Sequence, residues 1–206
     1  PVEAIYGITE SNMTVIEGNL FLKGEGDITH CSSYGLGEVM YDALENQAEH
    51  LVISLGGIDS FDGGAGMLQA LGAKFYDDEG EEVDTRQGSR VLKFIRTVDF
   101  KGLHPRLQEV RLQLMSDFDS KLYGKHSEIM KTYETHQLTR EKAAEIDNLI
   151  WYFSELVKNE MKIAMGPIER GGAGGGIAAL LNGLYDAEIL TSHELVNQIT
   201  HLDDLV

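Results

Sequence analysis

Leu51-Val52-Ile53-Ser54-Leu55-Gly56-Gly57 is followed, four residues on, by Asp62-Gly63-Gly64-Ala65-Gly66-Met67-Leu68-Gln69-Ala70-Leu71-Gly72. The first five residues are apolar with no alternation, which reads as a short strand buried on both faces, the type that builds parallel sheets. Gly56-Gly57 ends it, and a helix is expected from about Asp62 to Leu71. On the N-terminal side, Ser32-Ser33-Tyr34-Gly35 leads into another helix, with Leu36, Val39, Met40, Ala43 and Leu44 on one face and either serine able to cap it. Helix, strand, loop and helix in succession are the grammar of an α/β layer fold.

Further out, Val2–Ile8 and Met13–Glu17 are strand candidates parted by the turn-like Thr9-Glu10-Ser11-Asn12. Ala73 to Val110 is polar and strand-like, with a hairpin signal at Asp77-Asp78-Glu79-Gly80 and an extended run over Arg90–Val98. Arg111–Met115 is a strand candidate that ends at Ser116-Asp117. Thr139 can cap a helix in which Ile146, Leu149, Ile150, Phe153, Leu156 and Val157 recur at helical spacing, a core stripe with Trp151 and Tyr152 beside it. After Pro167 comes a glycine run, Gly171 to Gly176, then a helix bearing Ile177, Leu180, Leu181 and Leu184. A last helix opens with a capping box, Thr191 and Glu194, and Leu190 can staple against Leu195. With no repeat and no clear linker, residues 1–206 read as one mixed α/β domain.

Charge narrows the partners. The chain has 34 Asp and Glu against 17 Lys and Arg, a net −17, so nucleic acid and anionic membranes would be repelled. No apolar run nears the roughly 20 residues that span a bilayer. Cys31 is the only cysteine, so an intrachain disulfide is impossible; no secretory leader pattern opens the sequence, and a cytoplasmic location is expected. The seven histidines show no metal-ligand spacing, and no zinc site is expected. The opening at Pro1 and the apolar run beginning at Leu205-Val206 read as cuts within a longer polypeptide.

Three glycine turns fall where strands hand over to helices: Gly56-Gly57, Gly63-Gly64 after Asp62, and Gly171, Gly172, Gly174, Gly175 and Gly176 after Arg170. Such turns let backbone N–H groups approach an anion at a helix start, or let helix and sheet pack closely; both readings stand. The long run completes neither a Walker loop nor a dinucleotide fingerprint. Asp117 and Asp119 follow a strand, where carboxylates hold Mg²⁺ in many phosphoryl-transfer sites, although such residues also cap turns. Arg170 could neutralise a phosphate or make a surface ion pair.

Several of these stretches resemble a known family. Pro1 to Ile8 with Thr14-Val15-Ile16-Glu17 is similar to the entry of the inserted domain of bacterial glycerate kinases, and Ser32 to Glu38 to their Thr-Ser-Tyr-Gly-Thr-Gly-Glu segment. Asp62 to Gly72 matches their most specific motif almost letter for letter; Gly102-Leu103-His104-Pro105-Arg106-Leu107 and the glycine run follow in family order. Three stretches depart from it. Ile58-Asp59-Ser60-Phe61 stands where the family reads Ser-Ala-Thr-Asn, Ser116-Asp117-Phe118-Asp119-Ser120-Lys121-Leu122 replaces Cys-Asp-Val-x-Asn-Pro-Leu, and Tyr133 to Gln137 replaces Gly-Pro-Gln-Lys-Gly, with His136 at the lysine.

The resemblance implies transfer of the γ-phosphoryl of ATP to glycerate with Mg²⁺, in a protein whose other, flavodoxin-like domain is formed by both chain ends. It places Asp62 and Asp117 as catalytic groups, and the glycine turns with Arg170 as substrate- or phosphate-binding. A non-catalytic relative that binds a small sugar acid or supports a partner domain is the rival reading. The chain alone is expected to be inactive, because phosphoryl transfer needs donor, metal and acceptor clamped from several sides.

Overall fold

In a computed structural model, residues 6–8, 13–18 and 27–200 are described, and they build one five-stranded sheet and one two-stranded sheet. The large sheet runs β1 (Tyr6–Ile8), β2 (Met13–Glu17), β3 (His50–Ser54), β6 (Arg111–Met115) and β7 (Glu188–Leu190). β1 pairs antiparallel with β2; the other neighbours are parallel, in the registers Val15↔Val52, Ile53↔Leu114 and Leu114↔Ile189. Parallel neighbours need crossovers, and the chain supplies helices for them. α1 (Tyr34–Glu45) lies between β2 and β3 in sequence, α2 (Ala65–Ala70) between β3 and β6, and α3 (Glu128–Thr132), α4 (Arg140–Met161) and α5 (Ile177–Tyr185) between β6 and β7. α6 (Ser192–Thr200) follows β7.

β3 carries the apolar run that decides the fold, and Leu51 to Ser54 are all buried. A strand covered on both faces has no polar side, which is why its sequence does not alternate. The expected faces of α1 and α4 are the buried ones: Leu36, Val39, Met40, Ala43 and Leu44 on the first, Ile146, Ile150, Phe153 and Val157 on the second. Thr139 caps α4 as expected, accepting from the Lys142 amide at 3.2 Å. Leu149 and Leu156 are half-buried, and Trp151, placed beside the core stripe, is 48% exposed.

Of four further expectations, two are met within the described residues and two change. Of Val2–Ile8, the described residues Tyr6–Ile8 form a strand, and the rest of it and the Thr9–Asn12 turn lie outside the described residues. Arg90–Val98 is not extended throughout: Ser89–Phe94 is a 3₁₀ helix, and only Thr97–Asp99 forms a strand. The buried residues there are Val91, Leu92, Ile95 and Val98, a spacing near that of a helix and not the period of two a strand would need. At Asp77–Gly80 the chain does turn, with the Asp77 carboxylate accepting from the Glu79 and Glu81 amides at 2.9 Å. The expected hairpin is present there: Tyr76 pairs antiparallel with Glu82 and the Val83 amide donates to the Phe75 carbonyl at 2.8 Å, and β4 (Lys74–Tyr76) pairs with β5 (Thr97–Asp99) as well. Ser33 occupies the cap position of α1 without bonding the helix through its hydroxyl, which turns to Asp62.

Candidate functional site

β3 and β6 are parallel neighbours, so their carboxyl ends open on the same side, where α/β sheets place their ligands. A cleft of about 450 Å³ lies there, walled by Ser54 to Asp59 after β3, by Met115 to Phe118 after β6, and by Glu128, Thr132, Thr135 and His136 from α3 and its exit.

Asp62, although next to this region, faces inward. Its Oδ2 accepts from the Ser33 amide at 2.8 Å, the Ser33 hydroxyl at 2.9 Å, the Gly66 amide at 3.2 Å and the Ser32 hydroxyl at 3.3 Å. Its Oδ1 accepts from the Gly64 amide at 3.0 Å, and the residue is 1% exposed. One carboxylate thus ties the start of α1 to the start of α2, and the Ser33 hydroxyl closes the knot by accepting from the Met67 amide at 2.8 Å.

The glycine turns separate into two kinds. Gly63 donates its amide to the Gly175 carbonyl at 3.1 Å, and Gly171 to Gly176 are all buried. Gly174, Gly175 and Gly176 have φ of +64°, +63° and +108°, a region that favours glycine. A Cβ on Gly175 would stand 1.9 Å from the Ser60 carbonyl oxygen, and one on Gly172 2.2 Å from that of Lys121. These glycines form a close backbone seam. Gly56 and Gly57, by contrast, are exposed on the cleft wall, and a Cβ on Gly56 would meet nothing within 4 Å.

Asp117 sits on the cleft wall and accepts from both the hydroxyl and the amide of Ser192, at 2.7 and 2.8 Å. The Ser192 hydroxyl and then its amide hold the carboxyl below the usual range, so it stays ionised. Arg170 pairs with Glu194 at 3.1 Å, the surface-pair alternative; Glu194 also closes the capping box, accepting from the Thr191 amide at 2.6 Å. Arg170 does not line the cleft, and neither does any other Lys or Arg among the described residues.

Two ionisable cleft groups escaped the sequence reading. Glu128 is half-buried, and its Oε2 accepts from the Gly175 amide at 3.1 Å. Burial pushes its carboxyl up to about 7, against the pull of the Gly175 and Gly174 amides. No local sequence signal points to it: α3 is five residues long, and the bonds to its carboxylate come from a loop 47 positions away. His136, noted only as a lost lysine, packs edge-on against Phe61 at 5.4 Å and lies 3.7 Å from Asp59. Burial pushes its imidazole down, and the Asp59 charge opposes that.

A profile of the glycerate kinase family matches residues 1–206. This chain belongs to the glycerate kinase family. It is 32% identical to a glycerate kinase of Halalkalibacterium halodurans, over all of this chain and 55% of that protein. It is 31% identical to the glycerate 2-kinase of Escherichia coli, over 84% of this chain and 45% of that one. The crystal structure of a protein assigned as glycerate kinase 2 from Salmonella typhimurium LT2 superposes with a TM-score of 0.89 at 28% identity, covering 98% of this chain and 56% of the other. The chain therefore spans about half the length of the relatives it matches.

The mixed α/β fold expected of a glycerate kinase relative is present, with its parallel sheet flanked by helices. Two of the three departing stretches meet in space. Phe61 and His136, where the resembling motifs have Asn and Lys, are in ring contact, and Asp59 faces the same imidazole. These substitutions make one packed cluster at the cleft.

Proposed function

We propose that this chain forms the acceptor side of a glycerate kinase that transfers the γ-phosphoryl group of ATP to a hydroxyl of glycerate, in the cytoplasm. The observation that carries this is the cleft at the carboxyl ends of β3 and β6, an apolar-walled pocket with a few convergent polar groups, in a chain of this family. Its walls offer the hydroxyls of Thr132 and Thr135, the exposed backbone of Gly56-Gly57, and carboxylates at Asp59, Asp117 and Glu128. Those groups suit a hydroxyl-bearing ligand end. They do not suit a triphosphate, which needs cationic donors that this cleft lacks among the described residues.

The phosphates of ATP would accordingly be held by the flavodoxin-like part that the family resemblance implies, across the cleft from this chain. Mg²⁺ takes one or two protein carboxylates and leaves most of its shell to phosphate and water. Asp117, exposed and ionised on the cleft wall, fits that role as a single hard donor. When bound, the ion neutralises charge on the transferring phosphoryl group. In this reading Asp62, Gly63, Gly64 and the Gly171 to Gly176 seam position the wall, while Gly56, Gly57 and Asp117 face the ligands.

A coupled ADP-release assay with Mg²⁺, ATP and D-glycerate tests the proposal. The 206-residue chain alone is expected to stay below about 1 s⁻¹, the low end for kinases, and a longer polypeptide carrying the flavodoxin-like segments to exceed it. Turnover by the chain alone at that rate overturns the two-sided cleft. Glycerate binding without turnover in the longer polypeptide overturns the kinase reading in favour of a sugar-acid-binding relative.

A further inference from the structure

Phosphoryl transfer to an alcohol sheds one proton, and a carboxylate close to the hydroxyl is the usual acceptor for it. Four ionisable groups line this cleft: Asp59, Asp117, Glu128 and His136. The Asp117 carboxylate is already held by Ser192 through both oxygens, which leaves it a weak base. Asp59 and His136 face each other at 3.7 Å, and the imidazole is packed against Phe61.

Glu128 is placed differently. Its carboxylate accepts from the amide of Gly175, at 3.1 Å, and from that of Gly174. Gly174 and Gly175 both lie in the left-handed region, a backbone path that glycine takes without strain, and along it both amides reach the carboxylate. This loop is packed closely, because Gly175 lies against the Ser60 carbonyl and accepts from the Gly63 amide at 3.1 Å. One face of the carboxylate is therefore fixed by backbone, while the residue also lines the cleft.

We propose that Glu128 is the general base of the phosphoryl transfer, an inference that rests on the kinase reading above. As the acceptor oxygen bonds to the γ-phosphorus, the bond from that phosphorus to the leaving oxygen of ADP breaks. The hydroxyl proton passes to the Glu128 carboxylate, which later releases it to solvent. The products are the phosphorylated acceptor and ADP.

The environment of Glu128 suits the role. Burial raises its proton affinity to about 7, where a carboxylate is both available and an effective base. The titratable groups around it are Asp59, Asp117 and His136 on the cleft walls and, on α4, Asp147, which binds the Gly124 amide and whose carboxyl is also raised by burial. Lys131, on α3 itself, directs its ammonium to the Asp119 carbonyl and the Phe118 ring.

The test uses the longer polypeptide in the ADP-release assay, followed across pH. Glu128→Gln keeps an oxygen for the two amides, so a purely structural clamp would survive it. The expected result is a 10²- to 10⁴-fold fall in kcat with KM changed less than about 3-fold, and loss of the limb that rises through pH 7 in the wild type. Glu128→Asp should retain the limb at reduced rate, and it carries the test if the glutamine variant does not fold. A kcat within about 3-fold of wild type in Glu128→Gln overturns the role, as does a limb that persists there and vanishes in His136→Gln. Those outcomes leave the kinase reading intact; a wild-type polypeptide that releases no ADP with glycerate overturns both.

Discussion

At the seam, Gly63 and Gly175 share a backbone hydrogen bond of 3.1 Å, and a side chain is excluded at Gly175 by the Ser60 carbonyl oxygen and crowded at Gly63 by the Phe153 ring. At the cleft, Gly56 faces open volume, and the surrounding positions carry Asp59, Asp117, Glu128 and His136. The motif with the strongest family likeness, Asp62 to Gly72, belongs to the seam and its Asp62 knot. Of the departures, Asp59 and His136 line the cleft, and Phe61 is buried against the His136 ring. Likeness at the seam records how two backbone turns must pack, and that constraint holds whatever ligand the protein takes. The exposed part of the cleft wall is freer to change, because its side chains meet solvent or ligand.

The sharpest way to break this contrast is to add one methyl group on each side of it. Gly175→Ala puts a Cβ 1.9 Å from a carbonyl oxygen at a φ of +63°, so clash and strain combine. Each is worth about 1–3 kcal/mol, and urea melts should show a loss of about 3–5 kcal/mol in all. Gly56→Ala meets nothing within 4 Å and should change stability by less than about 0.5 kcal/mol. Equal losses at the two positions would erase the distinction.

The layer fold was legible because its signals are local. The unalternating run of β3 and the helical stripes of α1 and α4 each fall within one element and need no knowledge of partners. β7 and α3 were missed because three and five residues give too little periodicity. The Ser89–Phe94 segment was read as extended because Val91 and Ile95 fit either period, and Leu92 decides only once burial is seen. The site was less legible. The sequence marked Asp62 and the glycines as distinctive without saying whether they face a ligand or one another. Only the fold shows the five donors converging on Asp62 and the Ser60 carbonyl behind Gly175. Glu128 was invisible because burial and two remote amides, not a motif, make it unusual.

A second test sharpens the electrostatic side of the contrast and needs no substrate. The Glu128 carboxyl rises from 4.5 to about 7 on folding, so between these values the folded chain holds a proton that the unfolded chain releases. Its contribution to stability is full below pH 4.5 and is lost as pH rises through about 7. Glu128→Gln cannot ionise. It should be more stable than wild type at pH 8 by about 1–2 kcal/mol, because solvent at the cleft mouth screens part of the buried charge, with the gain gone by about pH 5. Denaturant melts at both pH values measure this; a pH-independent difference would mean that the carboxyl is not desolvated as the fold implies.

The smallest expected effect asks whether the departures at the cleft work as a unit. Phe61 and His136 make an edge-to-face contact with ring centroids 5.4 Å apart, and each stands where the family resemblance places a different residue. Such ring pairs contribute about 0.5–1.5 kcal/mol beyond burial. A double-mutant cycle with Phe61→Leu and His136→Gln at pH 8, where the depressed imidazole is neutral, should therefore return a coupling of that size. Because burial pushes His136 down, acidification protonates the unfolded chain first, so stability falls as pH drops below 6.5; His136→Gln should abolish that part of the loss. A coupling near zero would mean that the two substitutions arose independently and that the ring contact is incidental. A coupling in the expected range shows a repacked wall, because a site losing its motifs at random has no reason to place one departure against another.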